Sequence, residues 1–218
     1  MQNFSLYNQK IGEYRRDALA HNVAEERMPP WPKADSWQLF DGCGKRKYVT
    51  AGERAALLAA VATAPVPTKA LVLVLIYTGC RISEALSLTR GQLDTERGEL
   101  ALRTLKRRRL HYRIVPVPPA VVQALLALPV EAGAPERFFH WHRSTAWRRI
   151  KAFMARAGIC GTPASPKGLR HGFGMRAAEK NVPPALATRW LGHASARTTA
   201  IYQTATGPEE RAYAARMW

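Results

Sequence analysis

The sequence predicts a mainly α fold carrying a small antiparallel β-sheet (α+β), on three observations. Seven separate stretches repeat apolar residues at three- and four-residue spacing, the period of a helix with one buried face. One stretch alone, from Glu99 to Val117, leaves that period for short strand-like runs. Proline and glycine clusters stand between the stretches and punctuate them. With 218 residues, 47% of them hydrophobic, the chain is long and apolar enough to bury one ordinary core.

Taken in order, residues 1–28 are polar with loose helical spacing through Leu6, Ile11, Tyr14, Leu19 and Val23. Met28-Pro29-Pro30-Trp31-Pro32 then breaks any helix, because each proline lacks a donor and restricts the residue before it. A turn-rich run, Asp41 to Lys47, follows. Residues 1–45 therefore read as a short N-terminal arm and residues 46–218 as the main domain. In that domain Thr50 and Glu53 have capping-box spacing ahead of Leu57, Leu58 and Val61, and Pro65 and Pro67 should end this first helix. A second helix is predicted from Lys69 to Thr78-Gly79, and a third after Arg81 through Ser83, Glu84, Leu86 and Leu88. Leu100, Leu102 and Thr104, then Tyr112, Ile114, Val115 and Val117, suggest two strands around the basic tip Lys106 to Arg109. Helical spacing resumes over residues 120–128, 144–157, 169–179 and 184–191.

Charge narrows the function. Thirty-three Lys and Arg against sixteen Asp and Glu leave +17, which calls for a polyanionic partner, double-stranded DNA before an anionic membrane. No membrane span is expected, since the longest apolar run, Ala70 to Tyr77, is far short of the roughly 20 residues needed. Polar Gln2, Asn3 and Ser5 argue against a secretory signal, so a cytoplasmic protein is expected. Cys43, Cys80 and Cys160 fit neither a disulfide framework nor a zinc site, and His140 with His142 lacks a third ligand, so no metal is expected. The surplus concentrates between Arg97 and Arg156, with thirteen basic residues against three acidic. Arg107, Arg108 and Arg109 at the hairpin tip, and Arg148, Arg149 and Lys151 on a helix, are the expected DNA-binding residues.

The chemistry is concentrated in four motifs: Thr78-Gly79-Cys80-Arg81-Ile82-Ser83-Glu84, Lys167-Gly-Leu-Arg170-His171, Leu191-Gly192-His193, and Thr198-Thr199-Ala200-Ile201-Tyr202. Together, in this order and spacing, they resemble the tyrosine recombinases, or phage integrase family, over roughly residues 46–210. The resemblance implies a tyrosine-recombinase-like catalytic domain, a site-specific recombinase that integrates, excises or resolves a mobile element. It implies catalytic Arg81, Lys106, Lys167, Arg170, His193 and Tyr202, with Tyr202 the nucleophile. The residue types suit the reaction. Guanidinium stays charged and its fork matches two phosphate oxygens, which fits Arg81 and Arg170. Imidazole at His193 can donate near neutral pH. Lys167 occupies a position where the family carries His or Lys. Lys106 precedes the Arg113-Ile114-Val115-Pro116 element, where the family carries a lysine that protonates the leaving oxygen; arginine, with a pKa above about 12, donates poorly.

No cofactor is implied, and the 3′-phosphotyrosyl link would retain the ester energy for resealing. By the same resemblance, self-association on DNA as dimer to tetramer is expected, with residues 208–218 packing into a neighbour or back on the chain. Family members usually carry an N-terminal clamp of about a hundred residues, where this sequence has about 45. Two other readings share the residues: a non-catalytic accessory DNA-binding protein on this fold, and a type IB topoisomerase.

Overall fold

In the computed structural model, the described residues are 38–104, 111–130, 136–203, 214, 215 and 217. The first helix, α1, spans Ala51–Ala62. Thr50 Oγ1 accepts from the Glu53 backbone N–H while the Glu53 carboxylate accepts from the Thr50 N–H, so the capping box forms as its spacing predicts. Arg46 ties onto the same carboxylate.

Helix α2, Val66–Thr78, is the axis of the fold. Leu71 to Ile76 are all buried, and α2 packs against α1 and four later helices. At roughly 1.5–3 kcal/mol per buried large side chain, this run supplies a leading part of the core. It starts three residues earlier than the sequence suggests. Pro67 lies in the first turn, where a missing N–H costs nothing, and so opens α2 rather than closing α1.

Short α3, Ile82–Leu86, leads through a 3₁₀ turn at Arg90–Gln92 to the sheet. The sheet has three antiparallel strands in order, β1 Leu93–Asp94, β2 Glu99–Arg103 and β3 Tyr112–Pro116. Leu100 pairs with Val115 and Leu102 with Arg113. The two-residue β1 is too short to show a period. Leu100, Leu102, Arg113 and Val115 face inward, while Tyr112 and Ile114 point out. The inward position of a charged residue, against the apolar pattern, has its reason in the site described below.

Helices α4 (Pro119–Leu126), α5 (Arg143–Arg156), α6 (Pro166–Glu179) and α7 (Pro184–Leu191) match the predicted stretches within three residues at each end. Helix α8, Arg197–Gln203, carries Tyr202 and had no helical signature in the sequence. A second, smaller cluster of Leu39, Met175, Leu191 and Tyr202 lies beside the main core, so Leu39, from the stretch read as arm, packs with the tyrosine.

Candidate active site

Helix α2 ends at Gly79 in a left-handed conformation, and the chain turns through Cys80 to Arg81, the N-cap of α3. Glu84, three residues on, accepts from the Arg81 backbone N–H at 3.0 Å and from Arg81 Nη1 at 2.8 Å. Its other contact comes from β3: Arg113 Nη2 donates to Glu84 Oε2 at 2.6 Å. Burial pushes the Glu84 pKa up, but the Arg113 and Arg81 charges and hydrogen bonds outweigh it and hold the carboxyl below its usual range. Arg113 is itself buried. Its Nη1 donates to Thr104 Oγ1 at 2.9 Å and its Nε to the Trp190 carbonyl at 2.8 Å. It therefore joins the Arg81 helix to the end of α7. Gly192 follows there with φ +64°, and any Cβ at that position would lie 2.9 Å from the Arg113 guanidinium. Glycine is required both for the turn and for this approach.

Arg170 projects from α6 and is 5% exposed. Its Nη1 donates to the Gly79 carbonyl at 2.8 Å. Its Nε and Nη2 are buried and meet no hydrogen-bond partner among the described residues. Burial, then the like charge of Arg81, lowers its pKa to about 10. Two guanidiniums thus stand within electrostatic reach of each other, with donor capacity left over on Arg170.

His193, 5% exposed, follows α7. Its Nδ1 lies 2.8 Å from Thr199 Oγ1. Burial, then the charges of Arg170 and Arg81, depresses its pKa to about 3, so the ring is neutral at pH 7. Tyr202 stacks on it, ring centroids 6.3 Å apart and planes 16° from parallel. Tyr202 is 1% exposed, and burial raises the phenol to about 12. Its hydroxyl lies 3.1 Å from His171 Nδ1. A Cβ on Gly174 would sit 2.4 Å from the tyrosine ring, so α6 needs glycine at that point. His171 is satisfied on Nδ1, while Nε2 has no partner among the described residues. Burial, then the charges of Lys167 and Lys47, brings it to about 4.

Of the predicted residues, Arg81, Arg170, His193 and Tyr202 come together, His193 stacked on Tyr202 and both arginine charges acting on His193. Lys167 is exposed in the otherwise buried first turn of α6, its charge reaching His171. Lys106, Arg107, Arg108 and Arg109 lie outside the described residues, as does most of 208–218, Tyr213 included. Arg148 and Arg149 are exposed on α5; Arg149 covers the Trp141 ring at 4.4 Å, and the Lys151 ammonium lies 5.7 Å from the Trp147 centroid. Beside them a cleft of about 470 Å³ runs from Ser83 and Ser87 of α3 to Arg137, His140, His142 and Arg143. Among the described residues no three His, Cys, Asp or Glu side chains gather as a metal site, and His142 Nδ1 instead meets Ser144 Oγ at 2.8 Å at the start of α5. No described helix is long and apolar enough to cross a membrane.

Sequence reasoning missed Arg113, Thr188 and Thr199. Arg113 stood in a quoted motif, yet only its inward register in β3 reveals the partnership with Glu84. Thr199 lies one turn before Tyr202, a spacing that becomes meaningful only once α8 is known to be helical.

Comparison with known proteins places these motifs. Tyrosine recombinase XerD of Mycobacterium tuberculosis is 34% identical over 151 residues, covering 62% of this chain and 47% of that protein. Tyrosine recombinase XerA of Pyrococcus furiosus is 29% identical over 170 residues, covering 73% and 58%. A crystal structure of XerA recombinase superposes with TM-score 0.64 at 25% identity, covering 78% of this chain and 64% of that one. XerH bound to its difH substrate in a pre-cleavage complex matches in fold, with TM-score 0.65 at 20% identity over 82% and 59%. The chain spans about half the length of the curated relatives it matches. The phage integrase family model matches residues 47–207, taking in all four motifs, and the chain belongs to that family.

Proposed function

We propose that this chain performs the catalysis of a tyrosine-type site-specific recombinase, cutting and rejoining double-stranded DNA through a 3′-phosphotyrosyl intermediate. The observation that carries the reading is Arg170: two buried guanidinium nitrogens without a partner among the described residues, beside the like charge of Arg81. A phosphodiester supplies both the missing acceptors and the compensating negative charge. Support also comes from the relatives, named tyrosine recombinases, and from XerH, whose structures hold difH substrate before and after cleavage.

In this reading Arg81 and Arg170 hold the two non-bridging oxygens. The Tyr202 hydroxyl passes its proton to a base, with His171 Nδ1 in reach at 3.1 Å, and its oxygen bonds to phosphorus; the bond to the 5′ oxygen breaks, and that oxygen leaves as a hydroxyl after taking a proton. Lys106 is the proposed donor of that proton, with Lys167 or His193 as substitutes. His193 donates to the phosphate as charge builds. Reversal by a 5′ hydroxyl reseals the strand with no external energy source. The basic residues of the hairpin and α5, with the adjoining cleft, track the backbone. Self-association on DNA and a cytoplasmic location belong to the same proposal.

A nicked suicide duplex tests it, because the short 5′-hydroxyl fragment diffuses away and the adduct accumulates. Duplexes drawn from DNA flanking the gene should yield a covalent complex with the unaltered chain and none with Tyr202→Phe, in excess EDTA as well as without it. An adduct that persists in Tyr202→Phe and maps to Tyr213 overturns the nucleophile. Abolition by EDTA with recovery in magnesium overturns the arginine mechanism. No adduct on any native duplex hands the case to the accessory DNA-binding reading.

A further inference from the structure

We propose that Thr188 and Thr199 form a hydroxyl relay that fixes the tautomer of His193, leaving its proton on Nε2. The inference deepens the recombinase reading and rests on it for the role of His193. Thr188 lies in α7 and Thr199 in α8, on either side of the turn that carries the histidine. Thr188 holds that turn twice. Its backbone carbonyl accepts the His193 N–H at 3.1 Å, and its hydroxyl donates to Thr199 Oγ1 at 2.8 Å.

The direction of the relay follows from counting protons. A hydroxyl carries one proton. Thr199 Oγ1 receives the Thr188 proton, so its own is available for His193 Nδ1, 2.8 Å away. With Thr188 donating to it, Thr199 would accept from both sides if Nδ1 also donated, and its own proton would need a third acceptor. Thr199 is 3% exposed, and among the described residues its hydroxyl meets Thr188 and His193 alone. Such a stranded buried donor is costly. A neutral imidazole carries one N–H, so with Nδ1 accepting, the proton is on Nε2. Burial and the two arginines keep this ring neutral at pH 7. A neutral ring can donate to a phosphate from one nitrogen only, so the wrong tautomer would present a lone pair to an anion. Thr199 and Thr188 are therefore positioning residues. Because Thr199 lies three residues before Tyr202, the helix that presents the nucleophile also orients the donor.

The test begins without DNA. The full chain labelled with ¹⁵N-histidine, with His193 assigned from the signals missing in His193→Gln, should show Nε2 protonated and Nδ1 bare at pH 7. Thr199→Val keeps the shape and removes the hydroxyl, so the ring should redistribute toward the Nδ1–H tautomer; Thr199→Ser should restore the native pattern. Thr188→Val should move the populations in the same direction by less. Covalent-complex formation on the suicide duplex should slow about tenfold in Thr199→Val, the lower end for an orienting partner, and recover in Thr199→Ser. A protonated Nδ1 in the unaltered chain, or a ring indifferent to Thr199→Val, overturns the relay. Normal spectra with no adduct from the unaltered chain overturn the recombinase reading instead, and leave the tautomer standing.

Discussion

His171 is held neutral in a place where proton and charge both matter. It faces Tyr202 through Nδ1, while Lys167, Lys47 and Arg170 bring positive charge toward it, and burial removes its hydration. Its pKa falls from 6.5 to about 4. Between those values the unfolded chain binds a proton that the folded chain refuses. Stability is therefore complete above about pH 6.5 and declines as pH drops toward 4, by on the order of 3 kcal/mol at most. His193, with its pKa near 3, extends the same trend further into acid. Urea midpoints at pH 7 and pH 4.5 should differ, and His171→Gln, which keeps a polar partner for Tyr202 but cannot titrate, should narrow the difference. An unchanged slope would locate the acid sensitivity elsewhere. Gly174 gives a second single-residue consequence. Alanine there must displace the Tyr202 ring or α6, a cost of about 1–3 kcal/mol for overpacking, and thermal unfolding should shift down accordingly.

At the level of elements, one ion pair holds the site in shape. Arg113 from β3 reaches Glu84 of α3 and the carbonyl at the end of α7, with both side chains at 1% exposure or less. Removing one member of such a pair leaves an uncompensated buried charge, so Arg113→Met should cost about 3–5 kcal/mol. Glu84→Gln should be milder, because its amide oxygen can still accept from Arg113. Calorimetry of the two variants would separate them, and equal losses would show the charge on Glu84 to be indispensable. This element was half legible from sequence. Binary patterning found β2 and β3, but Tyr112, Ile114, Val115 and Val117 mark no single apolar face for β3. The apolar pattern could not reveal that a buried carboxylate 29 positions away makes Arg113 the inward residue. Likewise α8 is seven residues of Arg, Thr, Ala, Ile, Tyr and Gln, too short and too polar to carry a helical period. Its position comes from Tyr202 packing on α6 and from Thr199 meeting Thr188, both tertiary contacts. By contrast the long helices, the capping box at Thr50 and the four motifs were legible, because period and spacing are local properties.

Across the whole molecule the formal charge of +17 sets the terms of binding. Exposed Arg148 and Arg149 lie on α5, and the cleft runs from Ser83 of α3, whose N-cap is Arg81, to Arg143 at the start of α5. A DNA backbone laid along the cleft would meet Arg137 and Arg143 there and Arg81 at the start of α3. Phosphate contacts of this kind release counterions, and the logarithm of affinity falls by about 0.9 per phosphate for each tenfold rise in salt. With about six phosphates engaged, affinity should drop roughly a thousandfold between 50 and 200 mM salt. Charge removal at Arg148 and Arg149 together should reduce that slope by about 2 and weaken binding to unrelated duplexes alike, since phosphate contacts position the protein without reading sequence. Fluorescence anisotropy across a salt series, on one native and one scrambled duplex, measures both quantities. A loss confined to the native duplex would make these arginines base readers. A slope near zero would remove the electrostatic basis of DNA recognition, whatever the chemistry at Tyr202.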